Sequence, residues 1–284
     1  MKTKMQTSRA YLGPIPKAAI LLINKAKIAK KPECTRQYMR IFELFLTQLS
    51  GKRALSRQVL AILFYLLPSC AFAMLAPYTA TYGLYYHGLR AGNVTQVFQK
   101  LKHDNYLFTN TVEPVIAFLP YGGFERSIFK IASDTVMPLR YDFEKQEGTR
   151  QEGVILFDYK HHVAKESSTK NTGNLMFLPG DHDKQTYFLQ LSHDLTLNKK
   201  NLTYKVVGDG KIRTYTFVKQ GFEMLDTPMG KIKTLKLRTE NEDRSRVTYI
   251  WLDPKREYLL IHIEQLRKGS LAGESTIESF AMGR

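Results

Sequence analysis

The chain has 284 residues with 42 Lys and Arg, 26 Asp and Glu and two Cys, for a formal net charge of +16. Residues 1–73 hold 13 of the basic and two of the acidic side chains, so residues 74–284 hold 29 against 24, a net +5. Cys34 and Cys70 both precede residue 74, which excludes a disulfide framework or a cysteine-based site from the remainder. Without a block of clustered basic and aromatic residues there, we expect no nucleic-acid partner.

Residues 1–58 form a basic N-terminal extension without the periodic pattern that builds a core. Its apolar island, Ala18–Ile23, is too short to span a membrane. Two interpretations stay open. The segment is either unstructured sequence ahead of a start codon assigned too far upstream, or a targeting or cytoplasmic extension.

The stretch Val59–Ala73 has the three parts of a secretory signal. Thirteen of its fifteen residues are apolar, basic residues precede it, and small residues, Ala71 and Ala73, occupy positions −3 and −1. We therefore predict cleavage between Ala73 and Met74, which releases a protein of 211 residues, 74–284, into the periplasm.

Two alternatives to a cleaved signal remain. Extending the apolar run to Pro77 gives about nineteen residues, close to the minimum for an inner-membrane anchor. Leu67-Pro68-Ser69-Cys70 has part of the pattern of a lipoprotein signal. Pro68 disfavours both, because it interrupts a spanning helix and is unusual in a lipoprotein signal.

From Tyr78 onward, two-residue alternation and frequent turn signals predict short strands. Asp-Gly between extended runs predicts a hairpin at Gly208-Asp209-Gly210, and a phase slip predicts a bulge between Thr234 and Leu235. The polar stretch Glu166–Asn174 is interpreted as an exposed loop, and Arg90–Asn93 as a turn. The predicted strands are Tyr78–Tyr86, Val94–Leu101, Tyr106–Thr111, Arg126–Ala132, Leu139–Lys145, Val154–Lys160, Leu202–Val207, Lys211–Val218, Gly221–Leu225, Lys231–Thr239, Arg246–Leu252, Glu257–Leu266 and Ser270–Phe280.

One amphipathic helix is predicted over Asp181–Leu197. Phe188, Leu191 and Leu195 repeat at helical spacing, and Asp181 or Asp183 can cap the N-terminus. Such a helix needs an apolar sheet face to pack on. The sequence therefore predicts a mainly β single domain, a strongly curved antiparallel sheet or open β-barrel with one packed α-helix.

No catalytic or metal constellation stands out. His161 and His162 are adjacent and would point to opposite faces of a strand. His182 and His193 would lie about 16 Å apart along a helix, too far for one ion. Ser192 and His193 are adjacent in sequence, which does not provide the geometry of a catalytic triad. Asp253 and Glu257 could be paired carboxylates, but an Asp-Pro turn explains Asp253 without catalysis. We predict no catalytic residues, metal or cofactor.

The C-terminal sequence resembles a bacterial exported family known as domain of unknown function 3108. The family's Thr-Pro-x-Gly turn corresponds to Thr227, Pro228 and Gly230, a strand threonine to Thr234, and a Trp-Leu-x-Pro element to Trp251, Leu252, Asp253 and Pro254. Tyr78–Gly92 and Pro138–Tyr141 are also similar, so the resemblance covers about Tyr78–Phe280. Leu259–Ile261 departs from the family, which more often has a proline there. The resemblance implies export and architecture, with these residues in structural roles.

The sequence thus favours an exported, non-enzymatic envelope protein that binds a lipid or other apolar ligand, or an envelope protein partner. The 16 Tyr and 16 Phe fill a core or line a cavity, with the helix as its lid. Two alternatives stay open: a periplasmic hydrolase whose site is assembled by the fold, and a structural or interaction module. An apolar cavity favours the ligand-binding protein. Histidines and carboxylates that converge in a cleft favour the hydrolase, and a solid core favours the structural or interaction module.

Overall fold

The computed structural model describes residues 76–115, 122–147, 149–241 and 245–283, all within one compact unit, Met74–Arg284. The N-terminal extension, the predicted signal and its cleavage residues Ala71, Ala73 and Met74 lie outside the described residues. So does most of the stretch between Pro114 and Gly123. In the part of the chain that the structure describes, no helix has the length and apolar character needed to cross a membrane.

The described residues form fifteen strands, one α-helix and one 3-10 helix. The α-helix, α1, is Thr186–Thr196, and the 3-10 helix is Pro254–Arg256. The strands are β1 Tyr78–Tyr86, β2 Leu89–Lys100, β3 Asn105–Pro114, β4 Gly122–Ala132, β5 Thr135–Glu147, β6 Thr149–Asp158, β7 Val163–Ser168, β8 Thr172–Met176, β9 Thr203–Gly208, β10 Lys211–Thr216, β11 Val218–Thr227, β12 Gly230–Glu240, β13 Arg246–Asp253, β14 Leu259–Arg267 and β15 Ser270–Met282.

Thirteen strands make one antiparallel sheet in the order β11-β12-β13-β14-β15-β1-β2-β3-β4-β5-β6-β7-β8. Each strand pairs with its neighbour in sequence, except that β15 returns to pair with β1. The two ends of the described chain therefore meet inside the sheet. β11 and β8 remain as its open edges. The predicted hairpin at Asp209-Gly210 is confirmed, and its strands β9 and β10 form a separate two-stranded sheet.

The large sheet is strongly curved. Cα atoms of β11 and β15 come within 8 Å of each other although these strands are four places apart in the sheet. Four steps of about 4.8 Å would separate them by roughly 19 Å in a flat sheet. Register shifts at several pairs, such as Ile128/Phe129 and Trp251/Leu252, add the local twist that bulges produce. The predicted curved, open antiparallel sheet with one packed helix is confirmed.

Helix α1 lies against the inner face of the sheet and is buried on two sides. Leu189 joins the apolar cluster of β1, β2, β14 and β15, whereas Leu191 and Leu195 join a second cluster with β12, β13 and Phe217. A third cluster around Tyr141 packs under the β9–β10 hairpin. The helix therefore connects two halves of the interior. The helix fills the space between these two halves, and it does not cover an opening as the predicted lid would.

The helix is shorter at its N-terminus than predicted. Gln185 occupies the N-cap position, without a side-chain hydrogen bond to the helix. Asp183 lies in the turn before it, where its Oδ1 accepts hydrogen bonds from the backbone N–H groups of Gln185 and Thr186, at 2.8 Å each. Asp183 thus satisfies N-terminal donors, as predicted, from outside the helix.

Three local predictions are wrong. Glu166–Asn174 is not a loop, since most of it belongs to β7 and β8 at the edge of the sheet. The bulge lies on β11 between Lys219 and Gly221, and the register of β12 runs unbroken through Thr234. The first hairpin turns at His87-Gly88, so that β2 begins at Leu89.

Gly123 of β4 pairs with Lys145 of β5. Its φ is +122°, and a Cβ atom there would come within 2.0 Å of the Glu144 carbonyl oxygen. We expect Gly123→Ala to lower the free energy of unfolding by about 1–3 kcal/mol, because strained backbone and a backbone clash are combined. Urea denaturation measures this change. Gly173→Ala is the matched control, because a Cβ at Gly173 meets nothing within 4 Å; equal losses in both variants would contradict the steric explanation.

Candidate functional site

The curved sheet and helix α1 enclose an inner cavity of about 240 Å³. Its wall is mostly apolar, because inward-facing residues such as Tyr78 and Tyr82 of β1 and Phe108 of β3 contribute apolar surface to it. Tyr187, Phe188 and Leu189 of the helix form the facing wall. The sheet side is formed by Tyr78, Tyr82, Val94, Phe108, Leu259 and Ile263.

Several polar groups of the inner cavity have hydrogen-bond partners within the protein. The Tyr82 hydroxyl lies 3.0 Å from both Gln96 Oε1 and the Leu260 carbonyl oxygen. Burial raises the pKa of Tyr82 well above its ordinary value, which keeps the hydroxyl protonated as a donor. Asn110 differs, since its Oδ1 is buried and has no hydrogen-bond partner among the described residues. This oxygen is available to accept a hydrogen bond from a bound molecule.

A larger mouth cavity of about 1010 Å³ adjoins the inner one and shares Asn110, Ile263 and Ser275 with it. It lies where β1, β3, β5 and β14 end, so its lining comes from strands in the middle of the sheet order. Small residues leave space unfilled at several points of its lining. These residues are Ala91, Gly122, Gly123, Ala272 and Gly273. Leu84, Val112 and Phe124 make part of its wall apolar.

A third, basic cavity of about 400 Å³ lies under the β9–β10 hairpin. It shares Lys184 with the inner cavity, and it shares Lys145 and Arg246 with the mouth cavity. Three adjoining cavities, two of them partly apolar and one strongly polar, are therefore linked through shared residues such as Lys145 and Lys184. None of their lining residues was predicted as a site residue, because they are spread over most of the strands.

Most of the residues singled out in the sequence lie outside these cavities, whereas Ser192 lines the inner one. His161 is in the turn after β6, where its Nδ1 is 2.8 Å from Asp158 Oδ2. His182 is buried against β9, and His193 Nε2 lies 3.7 Å from Asp134 Oδ1. The Ser192 hydroxyl donates to the Tyr258 carbonyl oxygen. The structure brings none of these side chains together around one point.

The residues that carry the family resemblance make hydrogen bonds within the strands and turns. Thr227 Oγ1 donates to the Gly230 carbonyl oxygen at 2.8 Å across the β11–β12 turn. Thr234 Oγ1 donates to the Glu223 carbonyl oxygen, and Trp251 Nε1 donates to Glu223 Oε2 at 2.8 Å. Asp253 accepts from the backbone of Lys255 and from the Arg256 guanidinium, which holds the turn that Pro254 opens.

One group of possible metal ligands was not predicted. The ligand atoms of His262, Glu264 and Glu274 lie within 4.8 Å of one another. Both ring nitrogens of His262 are already engaged, with Nδ1 2.7 Å from Thr276 Oγ1 and Nε2 3.2 Å from Glu264 Oε1. Hydrogen bonding and the contact of the ring with Trp251, at 4.8 Å between centroids, account for this cluster without a metal ion.

Comparison with known proteins places the chain by family and by fold. The family described as protein of unknown function (DUF3108) matches residues 77–274. None of the curated proteins matches the chain. A crystal structure of a β-barrel-like protein of domain of unknown function DUF1849 from Brucella abortus is similar, with 13% identity and a TM-score of 0.50, over 74% of this chain and 99% of that one. At this identity the similarity shows a shared fold.

Two further solved structures are more distant. A protein with a YmcC-like fold from Bacteroides fragilis has 11% identity and a TM-score of 0.33, over 74% of this chain and 99% of its own. A domain from Vibrio parahaemolyticus, named for outer membrane lipoprotein sorting, has 10% identity and a TM-score of 0.23, over 72% and 85%. At these scores neither similarity supports a statement about the fold or role of this chain.

Proposed function

We propose that this chain, which belongs to the DUF3108 family of proteins of unknown function, is an exported periplasmic protein that binds a lipid or another apolar ligand between its curved sheet and helix α1. The observation that supports the proposal is the inner cavity continuing into the mouth cavity. The inner cavity offers a mostly apolar wall with a few polar groups, which is the usual composition of a small-molecule site, and the mouth cavity adds apolar surface from Leu84, Val112 and Phe124 beside charged residues.

The hydrolase alternative finds less support in these cavities. The inner cavity has no histidine in its lining, and the mouth cavity has His87 at its edge. A serine lining both, Ser275, has no histidine partner among the described residues. Of the histidine and carboxylates that do converge, His262 hydrogen-bonds to Glu264 at 3.2 Å, whereas Glu274 lies 3.9 Å from the His262 ring nitrogen.

The interaction alternative is favoured by one specific feature, the edge strand β11. Its side chains include Phe222 and Met224, which are 58% and 59% exposed. An unpaired strand edge with exposed apolar residues is suited to adding a strand from a partner protein. An envelope protein partner therefore remains a second candidate function, and it does not compete with ligand binding for the same surface.

A native mass spectrum of the protein recovered from the periplasmic fraction tests the proposal directly. We expect a chain that begins at Met74 and carries a co-purifying adduct of lipid size. A clean, adduct-free mass would count against a tightly held ligand and favour the interaction module. Retention of the protein in the membrane fraction would instead contradict cleavage of the signal.

A cavity-filling variant tests the site itself. Ser275 lines both the inner and the mouth cavity, and we expect Ser275→Phe to weaken binding of 1-dodecanol about tenfold, since the ring occupies the junction of the two spaces. Isothermal titration calorimetry measures the affinity. Ser279→Phe, an exposed position on the same strand β15, is the matched control. Equal affinities in both variants would place the ligand elsewhere.

A further inference from the structure

The basic cavity has a clear excess of positive charge. Five basic side chains line it, Lys145, Lys170, Lys184, Arg213 and Arg246, against two acidic ones, Glu152 and Asp209. Glu125 reaches Lys145 from the mouth cavity and forms an ion pair with it. Counting Glu125 as well, five cations face three carboxylates, so an excess of two positive charges remains.

Lys145 and Lys184 occupy the positions where this charge meets the apolar spaces. Lys184 belongs to both the basic and the inner cavity, and Lys145 to both the basic and the mouth cavity. Both ammonium groups lie near one aromatic ring, that of Phe143, at 5.8 and 6.0 Å from its centroid. The two cations are therefore close neighbours at the boundary of the cavities.

The existing ion pairs leave this pair of lysines incompletely neutralised. Lys184 Nζ lies 2.5 Å from Asp209 Oδ1, but Arg213 Nη1 shares the same carboxylate at 2.9 Å from Oδ2. Burial lowers the pKa of Lys184, and the nearby Lys145 charge lowers it further. Adjacent, partly buried cations of this kind are stabilised by an additional anion.

Resting on the proposed function, we infer that the ligand is an anionic amphiphile, whose carboxylate or phosphate group binds Lys145 and Lys184 while its hydrocarbon chain occupies the inner and mouth cavities. The geometry matches such a molecule because the two lysines lie between the polar and the apolar spaces. Asn110 Oδ1, further along the apolar wall, would accept a hydrogen bond from a hydroxyl or amide of the same ligand.

The test compares three probes on the protein purified from cells that express the full chain. Dodecanoate has the chain and the acid, 1-dodecanol has the chain alone, and inorganic phosphate has the anion alone. We expect dodecanoate to bind about tenfold more tightly than 1-dodecanol, and more tightly than inorganic phosphate, since charged hydrogen bonds add to the burial of the chain. Isothermal titration calorimetry at low salt measures all three affinities.

Variants locate the acid group. In Lys145→Met/Lys184→Met, which keeps the aliphatic stems, we expect the ratio of dodecanoate to dodecanol affinity to fall about tenfold, towards one. Lys184→Arg keeps the charge and should keep most of the ratio. Lys130→Met removes an exposed charge on β4, outside the three cavities, and serves as the matched control. The ratio is measured within one protein sample, so partial destabilisation of a variant does not imitate the result.

The outcomes separate this inference from the proposed function. Tight binding of 1-dodecanol with no preference for dodecanoate would leave the apolar site standing and overturn the anionic headgroup. Tighter binding of inorganic phosphate than of dodecanoate would assign the lysines to a small free anion. This result would also overturn the anionic headgroup of an amphiphile. Failure of both dodecanol and dodecanoate to bind would contradict the proposed function itself.

Discussion

Replacing Leu191 by Ala is expected to lower the free energy of unfolding by about 2–5 kcal/mol, the range found when a fully buried leucine is truncated. Leu191 has no exposed surface and packs with Leu195, Leu237 and Ile250 in the second apolar cluster. Helix α1 connects this cluster to the first through Leu189. A cavity left at Leu191 therefore loosens the contact between the helix and β12–β13.

Urea denaturation followed by circular dichroism measures this loss. Thr196→Ala changes an exposed residue at the end of the same helix, and we expect its free energy of unfolding to stay within about 0.5 kcal/mol of the unsubstituted protein. A loss below 1 kcal/mol for Leu191→Ala would mean that the helix is held mainly by its polar contacts. In those contacts, the Gln190 side-chain amide donates a hydrogen bond to Asp194. Gln190 also accepts a hydrogen bond from the Val136 backbone N–H, and Asp194 accepts one from the Tyr204 hydroxyl.

The sequence predicted the architecture where one face of an element is apolar. In β1, Tyr78, Ala80 and Tyr82 alternate with exposed or half-buried residues, and the strand was predicted with its observed bounds, Tyr78–Tyr86. Helix α1 was identified for the same reason, from Leu191 and Leu195 at helical spacing. In both cases the periodicity exists because one side packs against the interior.

The predictions failed where that contrast is weak. Strand β8 lies at the edge of the sheet and its residues are mostly exposed, so its sequence resembles a polar loop. The position of the bulge depends on the pairing between β11 and β12, which a single strand does not encode. Tertiary context decides both features.

The cavities could not be predicted from the sequence. Their lining comes from residues on nearly every strand, and small residues such as Ala91, Gly122 and Ala272 matter because they fail to fill space. Lys145 and Lys184 are far apart in sequence and meet only because β5 passes the turn before helix α1. No local pattern marks a gap between elements, so in the sequence the lipid hypothesis depends on fold class and aromatic content alone.

Two adjacent buried residues, His182 and Asp183, are expected to give opposite contributions to the pH dependence of stability. Burial lowers the pKa of His182 from 6.5 to about 4, and burial raises the pKa of Asp183 from 3.8 to about 6. Between pH 4 and 6.5 the unfolded chain binds a proton at His182 that the folded chain does not, so this residue makes stability rise with pH. Between pH 3.8 and 6 the folded chain binds the proton at Asp183, so this residue makes stability fall with rising pH.

Each of the two shifts spans a little over two pH units, which corresponds to roughly 3 kcal/mol. The contributions therefore nearly cancel in the unsubstituted protein, and single variants reveal them. We expect the destabilisation by His182→Gln to be roughly 3 kcal/mol larger at pH 7 than at pH 4, because the favourable neutral histidine is lost. We expect the destabilisation by Asp183→Asn to be smaller at pH 7 than at pH 4 by a similar amount, because the variant removes a buried charge.

The measurement is the free energy of unfolding in urea at half-unit steps from pH 4 to 7, with each variant compared to the unsubstituted protein at every pH. This difference cancels the titration of all other groups. The double variant His182→Gln/Asp183→Asn is the internal control, since its difference from the unsubstituted protein should change little with pH. Slopes of the same sign in the two single variants would contradict the assignment. Burial without a compensating charge favours the neutral form of both groups, so stability rises with pH for a buried base and falls with pH for a buried acid.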